Sequence, residues 1–120
     1  MPPRIIRIDR DGRVENQDFR VKLSKSGQNG RPQEVLWLDT QNGGPWTITF
    51  APKTSTAPST YPLQGGSPFL PGSDPFTVLN GASASSGPVA TGAVENSTYR
   101  YSVLNERGEI TDDPDIDIET

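Results

Sequence analysis

The chain has 120 residues, 31% of them apolar, with twelve Gly and twelve Pro and a net charge of −4. That length predicts a single domain over residues 1–120, with enough apolar surface for one modest two-layer core. It contains no His and no Cys, so disulfides, thiolate metal sites, Ser-His-Asp triads and Cys-His nucleophilic centres are excluded on composition alone.

Arg4-Ile5-Ile6-Arg7-Ile8 predicts a first strand, and Asp9-Arg10-Asp11-Gly12 a turn. Phe19, Val21 and Leu23 alternate with Arg20, Lys22 and Ser24, a period of two that marks a strand with one wet face. The run from Ser26 to Pro32 is a loop signal. Val35-Leu36-Trp37-Leu38 is a short continuous apolar run, as an interior strand requires, with Trp37 in the core. Asp39 to Gly44 turns the chain, and Trp46, Ile48 and Phe50 then alternate with Thr47 and Thr49.

Residues 51–75 form a long region rich in Pro, Ser, Thr and Gly, whose large apolar anchors are Tyr61, Leu63, Phe69 and Leu70. A connection of that length is functional, flexible or conceals short strands. Phe76-Thr77-Val78-Leu79 predicts a strand, and Asn80 to Gly92 reads as a second low-complexity stretch. Tyr99, Tyr101 and Val103 alternate in a further strand, followed by the turn Asn105-Glu106-Arg107-Gly108. Ile116 and Ile118 alternate with acidic residues in a last strand. The sum is all-β, a Greek-key β-sandwich of about seven to eight strands, with no helical period.

Two segments carry a family resemblance. Val35-Leu36-Trp37-Leu38-Asp39 followed by Pro45-Trp46-Thr47-Ile48-Thr49-Phe50 resembles the cupredoxin pattern of a strand, an acidic or Asn-bearing turn and Pro-His-Asn-Val-x-Phe. Thr98-Tyr99-Arg100-Tyr101-Ser102-Val103 resembles the family's Tyr-x-Phe-x-Cys strand, and Pro114-Asp115-Ile116-Asp117-Ile118 its closing strand. The likeness covers residues 33–50 and 97–119; an immunoglobulin-like or other Greek-key sandwich is the alternative. The resemblance implies a cupredoxin-like fold. It places Trp46 where the family has its first copper histidine and Val103 where it has the cysteine. An indole N–H has no lone pair to offer a metal, and blue copper needs two imidazoles and a thiolate. No copper, and no other cofactor, is expected.

Trp46 admits two readings. With Tyr61 and Phe69 it could form an aromatic contact patch, making Trp46, Tyr61 and Phe69 the candidate binding residues. Alternatively Trp46 and Val103 plug the volume that a metal and its ligands would fill, which packing favours because an empty site costs cavity energy. The acidic tail also divides. Asp113-x-Asp115-x-Asp117 copies the first ligand positions of a calcium loop, but Ile118 replaces the required Gly. The favoured reading is the wet face of an edge strand, its charges deterring aggregation; weak calcium binding at this tail stays open.

Charge is uneven: residues 1–31 carry eight basic and four acidic side chains, and residues 95–120 carry eight acidic and two basic. Two solvated ends explain this without a partner. Neither nucleic acid nor membrane is an expected partner. A cytoplasmic location is the default, with secretion or a periplasmic location implied if a leader has been removed. The functional expectation is a non-catalytic protein-binding or assembly module, contacting its protein partner through the 51–75 region or the acidic terminal strand. The alternatives are a structural subunit of a surface or multi-protein assembly and, behind it, a hydrolase using paired carboxylates.

Overall fold

Alternating side chains build every layer of the molecule. The structure, a computed structural model, describes residues 4–15, 20–24, 34–50, 63–69, 75–90 and 92–119. Among these no helix forms, and the chain is all-β and sandwich-like. The strands are β1 (Arg4–Ile8), β2 (Arg20–Ser24), β3 (Glu34–Asp39), β4 (Trp46–Thr49), β5 (Leu63–Gln64), β6 (Phe76–Val78), β7 (Ser83–Pro88), β8 (Ser97–Arg100), β9 (Ser102–Leu104), β10 (Ile110–Asp112) and β11 (Asp115–Glu119). They are more numerous than the seven named from the sequence, because β5, β7 and β10 lie in sequence that reads as loop and one expected strand divides into β8 and β9.

They lie in three sheets, ordered β1-β3-β7, β10-β9-β4-β6 and β2-β11-β8-β5. Parallel pairs occur at β1–β3, β2–β11 and β5–β8; the remaining pairs are antiparallel. The expected strand over 99–103 is two strands. β8 pairs with β11, the chain steps aside at Tyr101, whose N–H donates to Pro114 O at 3.1 Å, and β9 then pairs with β4. One run of chain therefore joins the second and third sheets.

All three sheets supply one core. Ile6, Ile8, Val35 and Trp37 come from the first, Trp46, Ile48, Val78 and Val103 from the second, and Leu23, Tyr99, Ile116 and Ile118 from the third. Trp37 is its centre, with ring centroids 5.1 Å from Phe76, 5.4 Å from Tyr101, 6.1 Å from Phe69 and 6.5 Å from Phe50. Three of these contacts are edge-on, a geometry that aligns ring edge with ring face. The Trp37 indole nitrogen makes no hydrogen bond among the described residues.

The last strand departs from expectation. β11 is interior, flanked by β2 and β8, and Asp115 and Asp117 are 2% and 1% exposed. Ile116 and Ile118 are buried on its other face. The acidic residues are not a wet edge; they are paired. Asp115 Oδ1 accepts from Arg100 Nε at 2.7 Å, and Asp117 Oδ1 from the Thr98 hydroxyl at 2.6 Å. Register makes this possible, since Asp115 lies opposite Arg100 and Asp117 opposite Thr98. Buried charge is tolerated only with such partners.

Two substitutions separate these contributions in urea denaturation. Trp37→Ala is expected to lower the unfolding free energy by about 3–5 kcal/mol through the cavity it opens. Arg100→Ala removes a buried partner of the Asp115 carboxylate and is expected to cost about 3 kcal/mol. Exposed Arg107→Ala should change it by no more than about 0.5 kcal/mol.

Candidate functional site

The end of the sandwich at which β3 leaves and β4 enters is organised by a carboxylate. Burial along β3 alternates, with Val35, Trp37 and Asp39 facing inward. Asp39 thus continues the core face but carries a charge at its rim, 3% exposed. Oδ1 accepts from Gly43 N at 3.2 Å and, at a long 3.4 Å, from Trp46 Nε1; Oδ2 accepts from Gly44 N at 3.0 Å and Gly81 N at 2.8 Å. A carboxylate offers about four acceptor positions. Burial alone would raise the Asp39 pKa. The donors Gly81, Gly44, Trp46 and Gly43 together outweigh it and hold the group below its ordinary value.

Around this carboxylate the backbone closes. Asn80 Nδ2 donates to Asn42 O at 3.1 Å and Gly44 O at 2.9 Å, fastening the β6–β7 turn to the β3–β4 loop. The Gly44–Pro45 peptide is cis. Gly81 has φ +70°, a backbone conformation that favours glycine, and a Cβ there would lie 2.6 Å from the Asn42 side-chain oxygen. Arg10 N donates to Gln41 Oε1 at 3.0 Å, and Thr40 N to Ile8 O at 3.1 Å, which docks the β1 turn on the same loop.

Trp46 fills the remaining space and is 4% exposed. Its ring edge abuts two glycines: a Cβ on Gly12 would lie 2.7 Å from Cζ3, and one on Gly43 3.0 Å from Cζ2. The Gly12 turn is held over it from the other side. The Thr111 hydroxyl lies 2.8 Å from Gly12 O, and Val14 N donates to Asp112 Oδ2 at 2.9 Å. Phe69 is 3% exposed and packs edge-on against Trp37 and Phe50. Neither Trp46 nor Phe69 presents a surface, so the contact patch expected of them is replaced by interior packing. Tyr61 lies outside the described residues, as does most of the 51–75 region apart from β5 and the Phe69–Val89 bridge.

Nearby surface features are modest. An open cleft of about 340 Å³ is lined by Gly43, Pro45, Asn105, Glu106 and Arg107. Glu106 is its one carboxylate. Arg107 pairs at 2.8 Å with Glu109, whose pKa is lowered by the Asn105 side-chain hydrogen bond and the Arg107 charge. Among the described residues, no group of three or more Asp, Glu, His or Cys is placed to hold a metal ion. Asp113, Asp115 and Asp117 do not converge: Asp113 accepts from the Ser102 hydroxyl at 2.8 Å, while the other two lie along a buried strand face.

The outer face of the β10-β9-β4-β6 sheet is more distinctive. Register places Ile110, Leu104, Thr47 and Thr77 in one row across four strands, opposite in pleat to buried Ile48, Val103 and Val78. Ile110 is 60% exposed and Leu79, just past β6, 63%. Sequence reading missed this face, because the row exists only once four separate segments pair. Comparison with protein-family models, curated proteins and solved structures finds no match to the chain.

Asp39 has two measurable consequences. Its folded pKa lies below its ordinary 3.8, so its stabilisation is complete above that value and is lost as pH falls through it toward the lower folded value. Acid unfolding of Asp39→Asn should lack that dependence. At neutral pH, Asp39→Ala leaves several N–H groups without an acceptor and should cost about 3 kcal/mol or more. Trp46→Phe removes one long hydrogen bond and part of the ring that fills this end of the core, and should cost more than the roughly 1 kcal/mol of the hydrogen bond alone.

Proposed function

We propose that the chain is a copper-free, cupredoxin-like domain serving as a non-catalytic protein-binding or assembly module. The fold part of this reading draws support from the meeting of its two resemblance segments, which pair as β4 and β9 with Ile48 opposite Val103. Trp46 and Val103, at the positions of the family's first histidine and its cysteine, both lie in the core.

The observation that carries the binding reading is the outer face of the β10-β9-β4-β6 sheet. Its exposed Ile110 and Leu79 frame a row of Thr47, Thr77 and half-buried Leu104, with the charged Glu106–Glu109 hairpin turn at its margin. Exposed apolar side chains set among polar groups on one sheet face are a usual form of contact site. The same face serves the second reading, a subunit that assembles with copies of itself.

The double substitution Ile110→Lys/Leu79→Lys tests both readings, since exposed positions should leave folding intact. Under the first, the wild type sediments as a monomer and retains a partner that the variant loses. Under the second, the wild type self-associates with rising concentration and the variant does not. A variant that keeps both behaviours of the wild type removes this face from the account. Cu(II) titration should show no binding at about micromolar Kd or tighter; such binding would overturn the copper-free assignment.

A further inference from the structure

Two Asn–Gly bonds lie against the Asp39 carboxylate, Asn42–Gly43 in the β3–β4 loop and Asn80–Gly81 in the β6–β7 turn. Asparagine is thermolabile, and most so before glycine, where no Cβ hinders ring closure. The glycine nitrogen bonds to the asparagine Cγ, the side-chain amide leaves as ammonia, and a five-membered imide forms. Water then opens the imide at either carbonyl, giving aspartate or isoaspartate. One water is consumed and one ammonia released. The reaction has two requirements: the glycine N–H must give up its proton, and its nitrogen must swing onto Cγ.

The same carboxylate opposes both requirements at both bonds. Gly43 N–H donates to Oδ1 at 3.2 Å and Gly81 N–H to Oδ2 at 2.8 Å. A negative charge beside each nitrogen disfavours its deprotonation, and a carboxylate is too weak a base to remove that proton itself. Rotation is restrained as well. Asn80 Nδ2, the group that would depart as ammonia, donates to Asn42 O and Gly44 O. Asn42 Oδ1 lies against Gly81, a position whose backbone favours glycine. Both asparagines are nevertheless exposed to water.

We propose that Asn42 and Asn80 are latent deamidation sites and that Asp39 keeps both closed, so that their covalent conversion is coupled to opening of this end of the sandwich. Conversion would hinder re-closure. An aspartate at position 80 loses the Nδ2 donor to two carbonyls and brings a second carboxylate near Asp39; isoaspartate adds a backbone carbon to a tightly packed turn. The proposal concerns the lifetime of the folded chain and does not depend on the binding role.

The test is incubation of the full chain at mildly alkaline pH, with peptide mapping by mass spectrometry to separate Asn42 and Asn80 from the third pair, Asn29–Gly30, which lies outside the described residues. In the folded wild type both sites should convert at least roughly tenfold more slowly than in the urea-denatured chain. Asp39→Asn, which removes the charge and puts an NH2 donor in place of one acceptor oxygen, should accelerate at least one of the two sites by several-fold while near-ultraviolet circular dichroism shows it folded; Arg107→Ala should accelerate neither. Should Asp39→Asn not fold, hydrogen exchange in the wild type decides, with the Gly43 and Gly81 amides expected to share one protection factor. Equal conversion in folded and denatured chain, acceleration at neither site in a folded Asp39→Asn, or an unprotected Gly43 or Gly81 amide would overturn the proposal.

Discussion

The molecule is shaped at one end by the need to bury a charge. Asp39 occupies an inward position of β3 one pleat beyond Trp37, where a hydrocarbon would simply extend the core. A carboxylate removed from water costs several kcal/mol unless its oxygens are compensated. Here the compensation comes from four N–H groups on two stretches of chain, residues 43–46 and Gly81. Supplying them fixes the path of residues 40–46, brings the β6–β7 turn over that loop, and sets the indole of Trp46. Side chains then close what the backbone has arranged, with Asn80 spanning the loop and the Gly12 turn lying over the ring. The first and second sheets thus meet around one residue.

A second buried polar site follows the same physics with a different outcome. Residues 97–103 and 114–118 are buried throughout, so β8 and β11 must satisfy polar side chains on one face while packing hydrocarbon on the other. Cross-strand pairing of Arg100 with Asp115 and of Thr98 with Asp117 does this locally. The arrangement adds specificity of register, because a one-residue slip would present the aspartates to Tyr99 and the isoleucines to Arg100.

How much of this was legible in the sequence depended on the kind of residue carrying the signal. β1, β3, β4 and β6 are apparent because Ile, Val, Trp and Phe recur with strand periodicity. The Asp9–Gly12 turn is apparent because Asp9 Oδ1 can accept from Asp11 N and Arg13 N. β7 was hidden: Ser83-Ala84-Ser85-Ser86-Gly87-Pro88 has no β-forming side chain. It is a strand because Leu36, Trp37 and Leu38 on β3 need a neighbour, and because the Ser86 hydroxyl accepts from Val35 N at 2.9 Å. β11 was misplaced for the opposite reason. Alternating Asp and Ile has the form of an amphipathic edge, and pairing with the distant Arg100 and Thr98 is what the acidic face gains on burial. Asp39 could be recognised only as a turn residue, since its four donors are backbone and indole groups that no spacing rule identifies.

The packing of Trp46 changes where function can be sought. With the indole enclosed by glycines and bonded to Asp39, this end of the sandwich offers no aromatic surface among the described residues, and the proposed binding role rests instead on the face of the β10-β9-β4-β6 sheet. That face depends on the buried carboxylate for one of its borders, because β4 begins at the residue Asp39 holds. The most direct measurement is an NMR titration of the Asp39 carboxyl carbon, read together with the Gly43, Gly44 and Gly81 amide protons and the Trp46 indole proton. The account predicts one transition, shared by all five signals and lying below the ordinary carboxylate value of 3.8. A carboxyl titrating at or above that value, or amide and indole protons indifferent to it, would contradict the account.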